Sequence, residues 1–264
     1  MSLRNLAEPT LARTRTGSGP GLLLAHGAGS SLAGTYGPIL EGLAARHTVV
    51  GIDYPGSGET PRSTSALSID DLADQLVAAA DAEGLDRFAV SGYSLGGPIA
   101  IRAATRHPER VTALVLTAAF AHRDNRLALI SSIWSKIASS NDRELLGEFL
   151  LMVALGTDAL ESMPFEQLQQ TIGFAASTAA DGSAEQTDLV GRVDVGDDLA
   201  NIKVPTLVIS TTDDRVTSVA LHRQLADSIS SAELAEIATG HLPMLERGDE
   251  WLHLINDFLG KHNG

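Results

Sequence analysis

The sequence predicts an α/β fold built on a mostly parallel, doubly wound sheet with helices on both faces. Three observations carry this expectation. Short apolar runs recur along the chain, they alternate with longer stretches of helical periodicity, and glycine or proline bounds most of them. Near-continuous apolar runs suit strands buried on both faces, the condition of a parallel sheet covered by helices. Alternation at this spacing gives βαβ units.

Taken in order, residues 11–16 precede the turn GSGPG and read as an added antiparallel edge strand. Residues 22–25 (LLLA) and 48–52 (TVVGI) are strands, with a helix over 36–46 between them. The next helix spans 69–83. Ser68 is a favourable N-cap, Asp70 and Asp71 lie where the helix dipole favours acids, and Gly84 stops it. A strand at 88–91 (FAVS), a helix at 95–107 and a strand at 111–117 (VTALVLT) follow. Near the end, 206–210 (TLVIS) is a strand, 219–229 a helix, 233–237 a weaker strand and 250–262 the last helix.

One stretch breaks the alternation. No strand is legible between 121 and 199, where three helix-like segments appear: LALISSIWSKIASS, NDRELLGEFLLMVALG and ALESMPFEQLQQTIGFAAS. Asn141 and Glu144 have the spacing of a capping box. The chain thus divides into a core, residues 1–120 and 200–264, and a helical insert, residues 121–199. Trp134, Phe149, Met152, Met163, Phe165 and Phe174 are first of all packing residues of that insert. An insert that rises from a strand's C-terminal end also lies where α/β sheets bind ligands, so some of them should line a pocket.

Composition narrows the function classes. The 264 residues are 44% hydrophobic and 20% charged, which suits a globular protein. A net charge of −14 argues against a nucleic-acid partner, because phosphate binding needs a basic face; solubility is the plain reading of that charge. There is no cysteine, which excludes disulfides, thiolate metal sites and a cysteine nucleophile. MSLRNLAEPT at the start has no apolar core of a leader peptide, and no apolar run reaches the length of a membrane span. A cytoplasmic location is the default expectation, with no metal and no cofactor.

The motif that points to chemistry is GYSLG, residues 92–96, placed between a strand and a helix. That context is what a nucleophile elbow requires: a sharp turn holds Ser94 exposed, small residues two positions either side relieve crowding, and the helix N-terminus favours developing negative charge. A serine hydroxyl is a weak nucleophile without a base. Of eight histidines, His241 stands out, because it lies in ATGHLPMLE after the last strand, between the turn signals Gly240 and Pro243. An imidazole needs a carboxylate to fix its tautomer, and TTDDRVTS offers Asp213 and Asp214 at the end of the preceding strand. Backbone donors for an oxyanion would come from Leu95 and from the loop that follows LLLA, where His26 and Gly27 lead into Ala28. That loop, GAGSSL, is not a dinucleotide fingerprint: the sixth position is Leu32, where glycine or alanine is needed.

Together LLLAHGAGSS, VVGIDYPGSGET, VSGYSLGG, VPTLVISTTDDRVTS and IATGHLPMLE resemble, in order and spacing, the α/β-hydrolase superfamily in its small cap-bearing serine hydrolase and esterase branch. The resemblance covers nearly the whole chain. It implies an α/β-hydrolase fold with a helical cap inserted after the sixth strand, Ser94 as nucleophile, His241 as base, and Ala28 and Leu95 as oxyanion donors. In the family the acid sits three residues after a glycine that ends the strand. Thr211 occupies that place here, which points to Asp214. His26, Tyr93, Phe120, His122 and Trp134 are candidates for the substrate pocket. The implied activity is hydrolysis of a carboxylic ester or related small acyl compound with an apolar acyl or alcohol part. Family members also use this triad for lyase, C–C bond hydrolase and cofactor-free tailoring reactions, and some serve as ligand receptors.

Overall fold

A computed structural model describes residues 11–262, so the leader-peptide reading of residues 1–10 lies outside the described residues. Among the described residues seven strands form one sheet: β1 (Arg13–Thr16), β2 (Gly21–Ala25), β3 (Thr48–Ile52), β4 (Phe88–Tyr93), β5 (Val111–Thr117), β6 (Thr206–Thr211) and β7 (Ala232–Ile237). Their spatial order is β1-β3-β2-β4-β5-β6-β7. Of these seven described strands only β1 runs antiparallel, pairing β3 at the edge, as the sequence predicts. Every residue of β2, β3, β4 and β6 is buried, which explains their uninterrupted apolar character.

Side chains that alternate along the strands feed two separate cores. On one face Leu23, Val50 and Val90 pack against α2 (Ile69–Ala82), α3 (Gly96–Arg106) and α9 (Val219–Ser228). On the other, Leu22, Leu24 and Val49 pack against α1 (Leu32–Ala44) and α11 (Gly248–His262), with Tyr36 and Trp251 fully buried between them. The Trp251 indole N–H donates to Thr117 Oγ1 at 2.9 Å, so this large side chain is satisfied where it is buried.

Between β5 and β6 the chain forms α4 (Asn125–Ser140), α5 (Arg143–Ala154), α6 (Thr157–Glu161), α7 (Phe165–Thr178), α8 (Ser183–Val190) and a 3₁₀ turn, Gly196–Asn201. The strand before this segment is the fifth among the described residues, one fewer than the resemblance implies, because four strands precede it. Two local readings are corrected. The third predicted helix is broken into α6 and α7 at Pro164, whose ring cannot continue a helix from the preceding turn. Asn141 does not open α5: it ends α4 in a left-handed conformation at φ +61, and Asp142 caps α5 by accepting from Leu145 N–H. The two ends of the segment are stapled together. Val195 N–H donates to Ala121 O at 2.8 Å, and His122 bridges Asp194 in antiparallel register. Among the described residues no helix is long and apolar enough to cross a membrane.

Candidate active site

Ser94 stands at the turn from β4 into α3 with φ +52, a left-handed pose that a side-chain-bearing residue adopts only under constraint. The constraint is visible in its neighbours. Ser94 N–H donates to Thr117 O at 3.0 Å, and Gly97 N–H donates to Ser94 O at 2.9 Å. A Cβ on Gly92 would overlap the Gly96 carbonyl, and one on Gly96 would overlap the Ala25 carbonyl. The two flanking glycines are therefore demanded by backbone closeness.

The loop after β7 brings His241 to this serine. His241 Nε2 lies 3.0 Å from Ser94 Oγ, and Nδ1 lies 2.7 Å from Asp214 Oδ2. Both partners are nearly enclosed, with Ser94 at 8% and His241 at 6% exposure. The carboxylate collects donors on both oxygens. Val216 and Thr217 N–H reach Oδ1 at 2.8 and 2.9 Å, and the Thr211 and Thr217 hydroxyls reach Oδ2 at 2.8 and 2.9 Å. Burial works to raise the Asp214 pKa, but His241 and the Thr211 hydroxyl outweigh it and hold the group below its ordinary value. An ionised Asp214 requires the Nδ1–H tautomer of His241, leaving Nε2 free to accept from the serine. Thr211, standing where the family has glycine, is thus a donor to the acid. Asp213 faces elsewhere and accepts from Thr157 N–H of α6.

Behind the acid lies a buried relay that the sequence did not single out. His222 Nε2 is 3.0 Å from Thr217 Oγ1, and its Nδ1 is 3.1 Å from Ser210 Oγ. Burial lowers the His222 pKa to about 4, so it packs as a neutral ring. The spacing to Asp214, eight residues along the chain, is one helical turn past a loop and carried no motif.

The loop after β2 lies against the serine: a Cβ on Gly27 would come within 3.4 Å of Ser94 Cβ. His26 organises this loop and does not face a pocket, which corrects its reading as a substrate residue. It is fully buried and stacked on Tyr54, with ring centroids 3.8 Å apart. Tyr54 N–H donates to its Nε2 at 3.1 Å, which leaves Nδ1–H to donate to Gly27 O at 2.8 Å. Gly27 C=O and Ala28 N–H belong to one planar peptide, so this bond sets the direction of the Ala28 N–H. Burial lowers the His26 pKa to about 4, keeping it neutral.

Tyr93 is also displaced from its expected place in the substrate pocket. Its strand alternation turns it into the core beside Trp251, and its hydroxyl donates to His241 O at 2.6 Å. It braces the histidine loop from below. Phe120 is wholly buried in the other core and does not line an open pocket, and half-buried His122 sits at the base of the helical segment. Trp134 does approach the site: its ring covers Gly29, where a Cβ would meet Cζ2 at 2.5 Å, and its buried indole N–H has no partner among the described residues. The helical segment touches the histidine loop directly. His241 N–H donates to Ala154 O at 2.7 Å, and the Glu246 carboxylate accepts from both Gly156 and Gly240 N–H. Among the described residues no group of three or more metal-ligating side chains is assembled.

Residues 20–248 match the alpha/beta hydrolase fold family, and the chain belongs to that family. It is similar to the pyrrolizixenacetamide deacetylase of Xenorhabdus hominickii, with 31% identity over 245 residues and 92% of each chain covered. It is also similar to the pimeloyl-(acyl-carrier protein) methyl ester esterase of Aeromonas hydrophila, with 25% identity over 254 residues, 93% of this chain and 98% of the other. The fold is shared with the enol-lactonase from Burkholderia xenovorans LB400 at a TM-score of 0.84 and 24% identity, covering 95% and 96% of the two chains.

Proposed function

We propose that the protein is a serine hydrolase that cleaves a carboxylic ester or related acyl compound through an acyl-enzyme on Ser94. The carrying observation is the unbroken line from Ser94 Oγ to His241 at 3.0 Å and on to Asp214 at 2.7 Å. In this reading His241 takes the serine proton as Oγ attacks the carbonyl carbon, and Asp214 stabilises the imidazolium. Ala28 and Leu95 N–H donate to the oxyanion, and the imidazolium returns its proton to the leaving group. Water then releases the acid by the same steps. Residues 121–199 act as a cap over the acyl pocket, with Trp134, whose ring lies against Gly29, as an aromatic wall.

The names of the relatives support acyl transfer to water, one at an acetamide and one at a methyl ester. In this reading the substrate is a small molecule with an apolar acyl or alcohol part. The test is turnover of p-nitrophenyl esters of graded chain length, with labelling by a fluorophosphonate probe. Ser94→Ala and His241→Ala should each lower kcat by at least about 10³-fold, and Ser94→Ala should abolish labelling. Near-full turnover by Ser94→Ala would sink the mechanism.

A further inference from the structure

We propose that Gln186, on α8 of the helical segment, is a positioning residue for the loop that carries the Ala28 N–H. The inference rests on the serine-hydrolase reading above. Gln186 is fully buried, where an amide is tolerated only if its polar atoms are satisfied. Its Oε1 accepts from Gly29 N–H at 2.8 Å, and its Nε2 donates to Pro55 O at 3.0 Å and Ser57 Oγ at 2.9 Å. The Ser57 hydroxyl in turn donates to Ser30 O at 2.5 Å. Backbone of the same stretch adds to the grip: Ala180 N–H donates to Gly29 O at 3.0 Å, and Gly182 N–H to Gly56 O at 3.0 Å.

Gly29 has φ +70, a pose that costs glycine little, so the loop has no stiffness of its own there. Two side chains supply it from opposite sides. His26 holds the Gly27 carbonyl from within the core, and Gln186 holds the Gly29 N–H from the helical segment. Ala28 lies between these two anchors, and the aim of its N–H depends on both. Oxyanion charge develops only as the carbonyl is attacked, so a mis-aimed donor weakens the transition state more than the bound substrate. Loss of Gln186 therefore belongs in kcat, not KM. A residue that only stabilised the fold would lower the melting temperature and leave both constants alone.

Gln186→Met keeps the length and bulk but removes donor and acceptor, whereas Gln186→Glu retains an acceptor for Gly29 N–H. Both are assayed on p-nitrophenyl butyrate below their melting temperatures, with inhibition by n-butylboronic acid, which forms a tetrahedral adduct on a serine. Gln186→Met should lower kcat by about 10–100-fold, a fraction of the loss for removing an oxyanion donor outright, with KM changed less than about threefold. Boronate affinity should fall in parallel, and Gln186→Glu, which keeps the acceptor for Gly29 N–H but loses the donors to Pro55 O and Ser57 Oγ, should fall between Gln186→Met and the unmodified protein. Should Gln186→Met fail to fold, Ser57→Ala makes a smaller cut in the same linkage and should lower kcat by about 3–10-fold. A kcat within twofold of the unmodified protein for the folded variants, a change confined to KM, or Gln186→Glu as impaired as Gln186→Met would overturn the role. Ser94→Ala separates the two claims. If it is inactive while Gln186→Met is unaffected, only the Gln186 role falls; if it retains turnover and boronate binding, the serine mechanism falls and takes this role with it.

Discussion

Two buried imidazoles, His26 and His222, do opposite work from His241 although all three sit within a few residues of the same site. Each is kept neutral by burial, with a pKa lowered to about 4 from an ordinary 6.5. A histidine whose folded pKa is depressed gives its full stability above the unfolded value, and that stability is lost as pH falls from 6.5 towards 4. By pH 5 each should have cost about 2 kcal/mol relative to pH 7.5, since one unit of difference is worth about 1.36 kcal/mol. We expect urea denaturation to show this drop, and His222→Gln to shrink it by about half. If the variant lost as much stability as the unmodified protein over this range, His222 would not be one of its sources. Of the eight histidines in the sequence, His241 was legible through its turn signals, His26 was read as a pocket candidate and His222 carried no signal. What made His26 and His222 structural is enclosure by residues far away in the chain, Tyr54 for one and Ser210 with Thr217 for the other.

Among the elements, the legible ones were those whose signal is local. Strands buried on both faces read directly as apolar runs, and Ser68 accepting from Asp71 N–H opens α2 as expected. The helix α8 was missed because SAEQTDLV has no apolar stripe: its buried positions include Ser183, Gln186 and Thr187, satisfied by hydrogen bonds rather than by packing. Polar residues facing inward defeat a hydrophobic period. Of the site, the Ser94, Asp214 and His241 positions were marked by motifs at strand ends, whereas Gln186 and Thr217 carry no motif and become visible only through their partners. Glycine substitutions separate local from long-range demands. Gly173, in α7, has open space around its Cβ position, so Gly173→Ala should stabilise the protein by about 0.5–1 kcal/mol in thermal denaturation. Gly96→Ala must push against the Ala25 carbonyl, and it should lower both the melting temperature and the labelling of Ser94. If Gly96→Ala were as stable as the unmodified protein, the close approach of β2 to the elbow would be wrong.

Across the whole molecule, the strand order was beyond the reach of a sequence read in windows, since β2 lies between β3 and β4 by pairing over distance. That order puts β5 and β6 side by side, and the helical segment leaves and returns through a neck closed by Ala121–Val195 and His122–Asp194. Both ends of the segment are thus already together before any of it is built. The neck makes 122–194 a graft site: another helical hairpin spliced there would leave the sheet and the elbow in place, but it would remove the Ala154 carbonyl and the Gly156 N–H that hold the histidine loop. Such transplants would alter which substrates fit, but the contacts to the histidine loop must be rebuilt, and a second requirement travels with them. A donor segment lacking a side chain in the place of Gln186 would inherit the chemistry with a slackened loop above it, so chimeras that choose well and turn over slowly are the expected failure.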